Sequence, residues 1–189
     1  VHFDDARSFF STGRKSYDVI ISEPSNPWVS GVASLFTHQF YRFLGQHLNE
    51  RGILVQWLQS YELDDPLLAT MLAALAQEYP YIDVYLTNSA DLLFVSSRQP
   101  LPVLDAGSLA EPGLAAELRR VGLAGPGDYA VRRIGSRALI DALVSLSSAE
   151  PHSDFYPVVS LRAPKARFMG QATRRLQVLM GLGAPVLEM

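Results

Sequence analysis

The segment Tyr17-Asp18-Val19-Ile20-Ile21-Ser22-Glu23-Pro24-Ser25-Asn26-Pro27-Trp28 narrows the choice of fold more than any other part of the chain. Its first residues make a short apolar strand of the buried type, which runs directly into a turn locked by two prolines. In an open α/β sheet, ligands bind beyond the carboxyl ends of the strands, so polar groups fixed at such an exit point into a crevice. Glu23 and Asn26 are therefore the first candidates for chemistry. The competing reading, a rigid turn with an exposed acid, is weaker because the strand ahead of it has the composition of a buried one.

The elements on either side alternate. Val1 to Phe3 reads as a strand leading into Asp4, Asp5 and Ala6, and Arg7 to Phe10 as a brief helical turn. Leu35, Phe36, Phe40, Phe43, Leu44 and Leu48 recur at helical spacing and predict a helix from about Ser34 to Leu48, stopped at Gly52. Ile53 to Leu58 is a third strand. Asp64, Asp65 and Pro66 open a helix to about Tyr79, since carboxylates suit the positive helix start and proline suits its first turn. Tyr81 to Leu86 and Asp91 to Ser97, joined by Thr87-Asn88-Ser89-Ala90, have the spacing of an antiparallel hairpin. Residues 1–98 are thus expected to form an α/β sheet closed by a hairpin. Residues 99–189 are expected to form a mostly helical tail packed on it. Its helices are placed near Ser108 to Val121 and Ser136 to Ser147, with a short strand at Val158 to Leu161. A last helix at about Lys165 to Leu182 carries Arg167, Arg174 and Arg175.

Composition removes several function classes. The 189 residues are 48% hydrophobic and 19% charged, enough for one domain with a substantial core. A net charge of -3 argues against binding a nucleic-acid backbone and leaves a small-molecule site as the default. The absence of cysteine excludes disulfides, thiolate nucleophiles and cysteine metal sites. His2, His38, His47 and His152 make no metal-ligand pattern, so no metal is expected. No apolar run is long enough to span a membrane, and the start at Val1 suggests a fragment of a longer protein.

Several motifs together resemble one family. Asp4-Asp5-Ala6-Arg7, the Tyr17 to Trp28 segment, Leu35-Phe36-Thr37 with Phe40-Tyr41, and Gly52-Ile53-Leu54-Val55-Gln56 are similar to spermidine synthases, the polyamine aminopropyltransferases. Ser153-Asp154-Phe155-Tyr156-Pro157 and Leu161-Arg162-Ala163-Pro164 resemble the closing motif of the bacterial synthase-like branch, whose synthase domain often follows a membrane-embedded region. The resemblance implies a Rossmann-like sheet of the S-adenosylmethionine-methyltransferase type, of which this chain holds the C-terminal half. The family's glycine-rich loop after the first strand, and the acid that holds the ribose, have no counterpart in these residues.

The implied reaction moves an aminopropyl group from decarboxylated S-adenosylmethionine to an amine. The sulfonium is already a good leaving group, so the protein must mainly place the amine in line and keep it unprotonated. An alkylamine with a pKa of about 10.4 is nucleophilic in only about one molecule in a few thousand at neutral pH. The resemblance places Glu23 as the catalytic base, where the family carries an aspartate, and Asn26 where a second aspartate would attract the amine. Gln56 and Gln59, at the crevice end of the third strand, join Asn26 as expected substrate contacts. Asp5 and Ala6 would meet the adenine, with Ser22 and Pro24 also on the donor side. A short loop between Tyr85 and Phe94 stands where the family inserts a tyrosine-bearing segment into the amine pocket.

Two other readings remain open at this stage. Asn26-Pro27-Trp28 is similar to the turn of amino-methylating enzymes, which would make the chain an S-adenosylmethionine-dependent methyltransferase. The altered acid pair would also suit a catalytically silent nucleoside-binding domain. The expected partners are a small-molecule amine and a homodimeric second copy, with no nucleic acid. The expected location is cytoplasmic, with a membrane tether supplied by upstream segments.

Overall fold

A computed structural model describes residues 3–88, 90–103, 106–174, 176 and 178. A short helix, α1 (Ala6–Thr12), precedes the first strand, β1 (Tyr17–Ser22). A 3-10 turn at Val32–Phe36 leads into α2 (His38–Leu44), and β2 (Leu48–Gln59) follows. Then come α3 (Asp65–Glu78) and the hairpin of β3 (Tyr81–Leu86) and β4 (Asp91–Ser97). Beyond it lie α4 (Ala106–Leu109), α5 (Pro112–Arg120), α6 (Pro126–Arg132), β5 (Arg133–Ser136), α7 (Arg137–Ser147) and α8 (Val158–Phe168). The strands form one mixed α/β sheet in the order β1-β2-β4-β3-β5. β1 and β2 are parallel, while the β2–β4, β3–β4 and β3–β5 pairs are antiparallel.

One face of this sheet carries the core. Ile20, Leu54, Leu58, Ile82, Val84, Leu92 and Phe94 are all buried, and they belong to the same cluster as Leu67, Leu68, Met71, Leu72 and Leu75 of α3. α3 is covered nearly all round because α2, α7 and α8 also pack against it. Its start is set by the Asp64 side chain, which accepts from the Leu67 N–H at 2.8 Å. The other sheet face is less covered: Ile53, Val55, Trp57, Leu93 and Val95 are all half-buried.

The α3 helix and the β3–β4 hairpin lie where the sequence places them, but several other segments differ. The expected Ser34 to Leu48 helix is broken into the 3-10 turn and α2, and β2 begins at Leu48. Thr37 explains the break, since its hydroxyl accepts from the Phe40 N–H at 3.2 Å and starts α2 there. At the other end Arg98 donates to the Gly45 carbonyl at 3.0 Å and lies where a side chain at Gly45 would have to go. The expected Val158 to Leu161 strand is the first turn of α8. Val159, Ala163 and Ala166 bury one helical face, and that packing overrides the β-preference of the two valines.

β1, read as a buried strand, lies at the edge of the sheet formed by the described residues, with Val19 51% and Ile21 69% exposed. Its apolar composition reflects one buried side chain, Ile20, and two outward ones. Lastly, β5 joins the sheet from within the stretch read as helical. It sits beside β3, where Arg133 pairs with Asp83 at 2.7 Å. Of the expected last helix, residues 165–168 form the end of α8, the chain leaves helical form at residues 169–173, and the described Arg174, Leu176 and Val178 are helical again. Val1, His2, Ser89, Arg175 and Leu182 lie outside the described residues. Among the described residues no helix is long and apolar enough to cross a membrane.

Candidate functional site

β1 delivers Ser22 and Glu23 to the end of the sheet, and Pro24 fixes the direction in which the chain leaves. α1 runs alongside β1, anchored at the strand's start where Phe10 packs against the rings of Tyr17 and His47, at centroid distances of 6.2 Å and 5.1 Å. Between them lies a small pocket of about 230 Å³. Ala6, Ser22, Glu23 and Pro24 line it, with apolar walls from Phe10, Ile20, Ile21, Leu35, Phe40 and Leu44. Two roomier clefts, of about 970 Å³ beside His38, Phe155 and Tyr156 and about 810 Å³ beside Tyr85 and Tyr129, lie away from the carboxyl end of β1.

The eight residues singled out by sequence occupy different environments. Glu23 is exposed, and among the described residues its carboxylate has no hydrogen-bond or ion-pair partner. Asp5 is the N-cap of α1, where one carboxylate oxygen accepts from the Ser8 N–H at 3.0 Å. Asn26 is half-buried and does not line the pocket; its backbone carbonyl accepts from the Val29 N–H at 2.9 Å, closing the turn. Gln56 and Gln59 are wholly buried and do not line the pocket. The Gln56 amide donates to the Trp57 carbonyl at 2.8 Å and to the Ser22 carbonyl at 3.3 Å, tying β2 to the last residue of β1. Among the described residues, both amide atoms of Gln59 and the Gln56 oxygen are buried without a hydrogen-bond partner.

Several other contributors lie within the family-like motifs, where nothing local assigns them to the site. Leu35, Phe40 and Leu44 have the spacing of ordinary core residues, and only the fold shows that they also wall a pocket. Arg7 donates from both terminal nitrogens to Asp154, at 2.7 Å and 3.0 Å, and lies over the Phe40 ring at 5.3 Å. At the far end of the turn, Arg167 of α8 stacks on Trp28 at 5.1 Å and approaches Glu62 at 3.6 Å. The segment after α8 adds a bridge from Ala172 to Tyr61, and the Thr173 hydroxyl donates to the Ser60 carbonyl at 2.9 Å. Among the described residues no cluster of His, Asp or Glu is arranged to hold a metal ion.

Beside Asp154, the buried His152 has its pKa pushed below the ordinary 6.5, chiefly because burial disfavours the imidazolium. Burial raises the Asp154 carboxyl, but hydrogen bonds from Arg7 and Thr37 and the Arg7 charge outweigh it, leaving the group below its usual range. Both shifts have the same sign for stability. Between the folded and unfolded pKa values the unfolded state binds more protons, so stability falls as pH falls. The His152 contribution is intact above about pH 6.5 and is lost below it, whereas that of Asp154 is intact above about pH 4 and lost under stronger acid. A calorimetric Tm is therefore expected to drop between pH 7.5 and 5.5, and His152→Gln should flatten that part of the profile.

Comparison with known proteins points the same way as the motifs. A family model for the spermine/spermidine synthase domain matches residues 1–90. The polyamine aminopropyltransferase of Nitrosomonas europaea is 28% identical over 130 residues, a match that covers 65% of this chain. The chain spans only 38% of that relative's length. Among solved structures, a probable spermidine synthase from Corynebacterium glutamicum aligns over 81% of this chain and 53% of its own, with TM-score 0.49 and 16% identity. Human methyltransferase-like protein 13, in complex with SAH, aligns over 64% and 57% with TM-score 0.47 and 21% identity. Both scores lie below the level at which a shared fold follows from them. The family model and the curated relative together support a spermidine synthase-like family for this chain, with the model match confined to its first 90 residues.

Proposed function

We propose that this chain is part of an aminopropyl transfer site, in which the nucleoside of the donor, decarboxylated S-adenosylmethionine, enters the pocket at the end of β1 and Glu23 is the base toward an amine. The observation that carries the reading is the convergence of Ala6, Ser22, Glu23 and Pro24 on one pocket at the carboxyl end of β1. Its apolar walls suit a flat ring. Its volume of about 230 Å³ falls below the roughly 300–1,000 Å³ of a complete small-molecule site, so the chain supplies part of one.

The chemistry follows from the charge distribution. The amine lone pair attacks the methylene next to the sulfonium, and the carbon–sulfur bond breaks with its electrons moving to sulfur. A neutral thioether, 5′-methylthioadenosine, departs. The nitrogen that has formed the new bond then carries an extra proton, which Glu23 accepts. An exposed carboxylate also attracts the cationic amine before reaction. Gln56 holds the Ser22 carbonyl from behind, fixing the end of β1 from which Glu23 projects.

The donor preference is testable from the lining alone. Among the described residues the pocket walls hold no lysine or arginine and one acid, Glu23. The carboxylate of S-adenosylmethionine would stay unpaired there, whereas the decarboxylated donor has none to satisfy. Calorimetry on the full-length protein is expected to show the decarboxylated donor binding at least about tenfold more tightly, a difference of about 1.4 kcal/mol. The reverse preference would identify a methyltransferase, and binding of neither would overturn the proposal.

A further inference from the structure

The candidate pocket is held from a distant part of the chain. Arg7 follows the pocket residue Ala6, and its guanidinium gathers groups from several elements. One terminal nitrogen donates to the Ser34 carbonyl at 2.5 Å, the Thr37 hydroxyl at 2.9 Å and Asp154 Oδ1 at 2.7 Å. The other reaches Asp154 Oδ2 at 3.0 Å, and the guanidinium lies over the ring of Phe40, itself a pocket wall. Ser34 immediately precedes Leu35, another wall. Arg7 thus touches or adjoins Ala6, Leu35 and Phe40, and the group that orients it is the Asp154 carboxylate.

Asp154 is in turn fixed from beneath. Its N–H donates to Gln39 Oε1 at 3.1 Å. Two residues earlier the buried His152 accepts from the His38 N–H at 2.9 Å through its carbonyl, donates its own N–H to the Thr70 carbonyl at 3.0 Å, and sets Nε2 3.1 Å from the Ala33 carbonyl. The turn is therefore pinned to the 3-10 turn, α2 and α3 before it presents its carboxylate. Isolated exposed ion pairs contribute little, but this one is two-pronged, one-third exposed on each side and part of a network.

We infer that Asp154 is a positioning residue for the pocket, acting through Arg7 to hold α1 against the Leu35–Phe40 wall. The inference rests on the reading that this pocket takes the donor nucleoside. It also gives the polar turn at Ser153–Tyr156, otherwise an ordinary surface turn, a role in ligand affinity.

The test is Asp154→Asn in the full-length protein, which keeps the shape and removes the charge. 5′-Methylthioadenosine, the nucleoside product of aminopropyl transfer, is the probe. Its dissociation constant is expected to rise about tenfold, as for loss of a charge-assisted hydrogen bond pair. Amide exchange across Ala6–Thr12 should quicken while α3 exchange stays unchanged. A double-mutant cycle with Arg7→Ala should show that the two changes do not add, and Asp154→Glu should recover part of the affinity. Affinity within twofold of the parent, or unchanged exchange in α1, would overturn the inference. Failure of both proteins to bind the nucleoside, with α1 exchange still faster in the variant, would remove the functional reading and leave the positioning role in place.

Discussion

Glu23→Gln in the full-length protein is expected to lower the rate of amine alkylation by about 10²–10⁴-fold, the usual contribution of a general base. Glutamine keeps the length and shape of the side chain, so the apolar walls and Pro24 stay where they are. The donor's dissociation constant should therefore change little. What disappears is the proton acceptor and the negative charge facing a cationic amine. Raising the pH should restore part of the rate in the variant, because above about pH 10 the amine deprotonates without help. The parent should not show that late rise to the same degree. Glu23→Asp should fall in between, since it keeps the charge but withdraws it by one methylene. Turnover by Glu23→Gln equal to that of the parent at neutral pH would remove Glu23 as the base.

Phe94→Ala is expected to cost about 3–5 kcal/mol of folding stability. Phe94 is 1% exposed and lies in the middle of the sheet, opposite Gln56 on β2 and Val84 on β3. Its ring fills the space between the sheet and α3, and an alanine there leaves a cavity that three paired strands cannot close. At about 2–4 °C per kcal/mol for a domain of this size, Tm should fall by roughly 6–20 °C. Val55→Ala gives the contrast, because Val55 neighbours Phe94's strand but points to the half-covered face. It should lower Tm by well under half as much. Equal losses would mean that the second face is as tightly packed as the first.

Local pattern made some elements readable and hid others. The β3–β4 hairpin lies at its expected bounds because its strands are bounded by turn residues and its register is closed by neighbours in sequence. α3 is equally legible, since Asp64, Asp65 and Pro66 mark its start. α8 is not, because Val158 and Val159 favour a strand locally and only packing against α3 decides otherwise. β5 escaped because four residues, Arg133 to Ser136, have no periodicity of their own and gain strand form from β3.

The site divides in the same way. The strand-exit turn is visible in a dozen consecutive residues. The Arg7–Asp154 contact joins positions 147 residues apart, and no spacing within either motif announces it. Phe40 shows a further limit, since a core residue and a pocket wall are indistinguishable by helical spacing.

The position of β1 has a consequence for what can join the sheet. Among the described residues it pairs with β2 alone, so its free side presents a row of backbone donors and acceptors, flanked by outward Val19 and Ile21. Such an edge is a template for adding another strand. A strand laid along that edge, whatever chain supplies it, would extend the sheet past β1 and cover Val19 and Ile21.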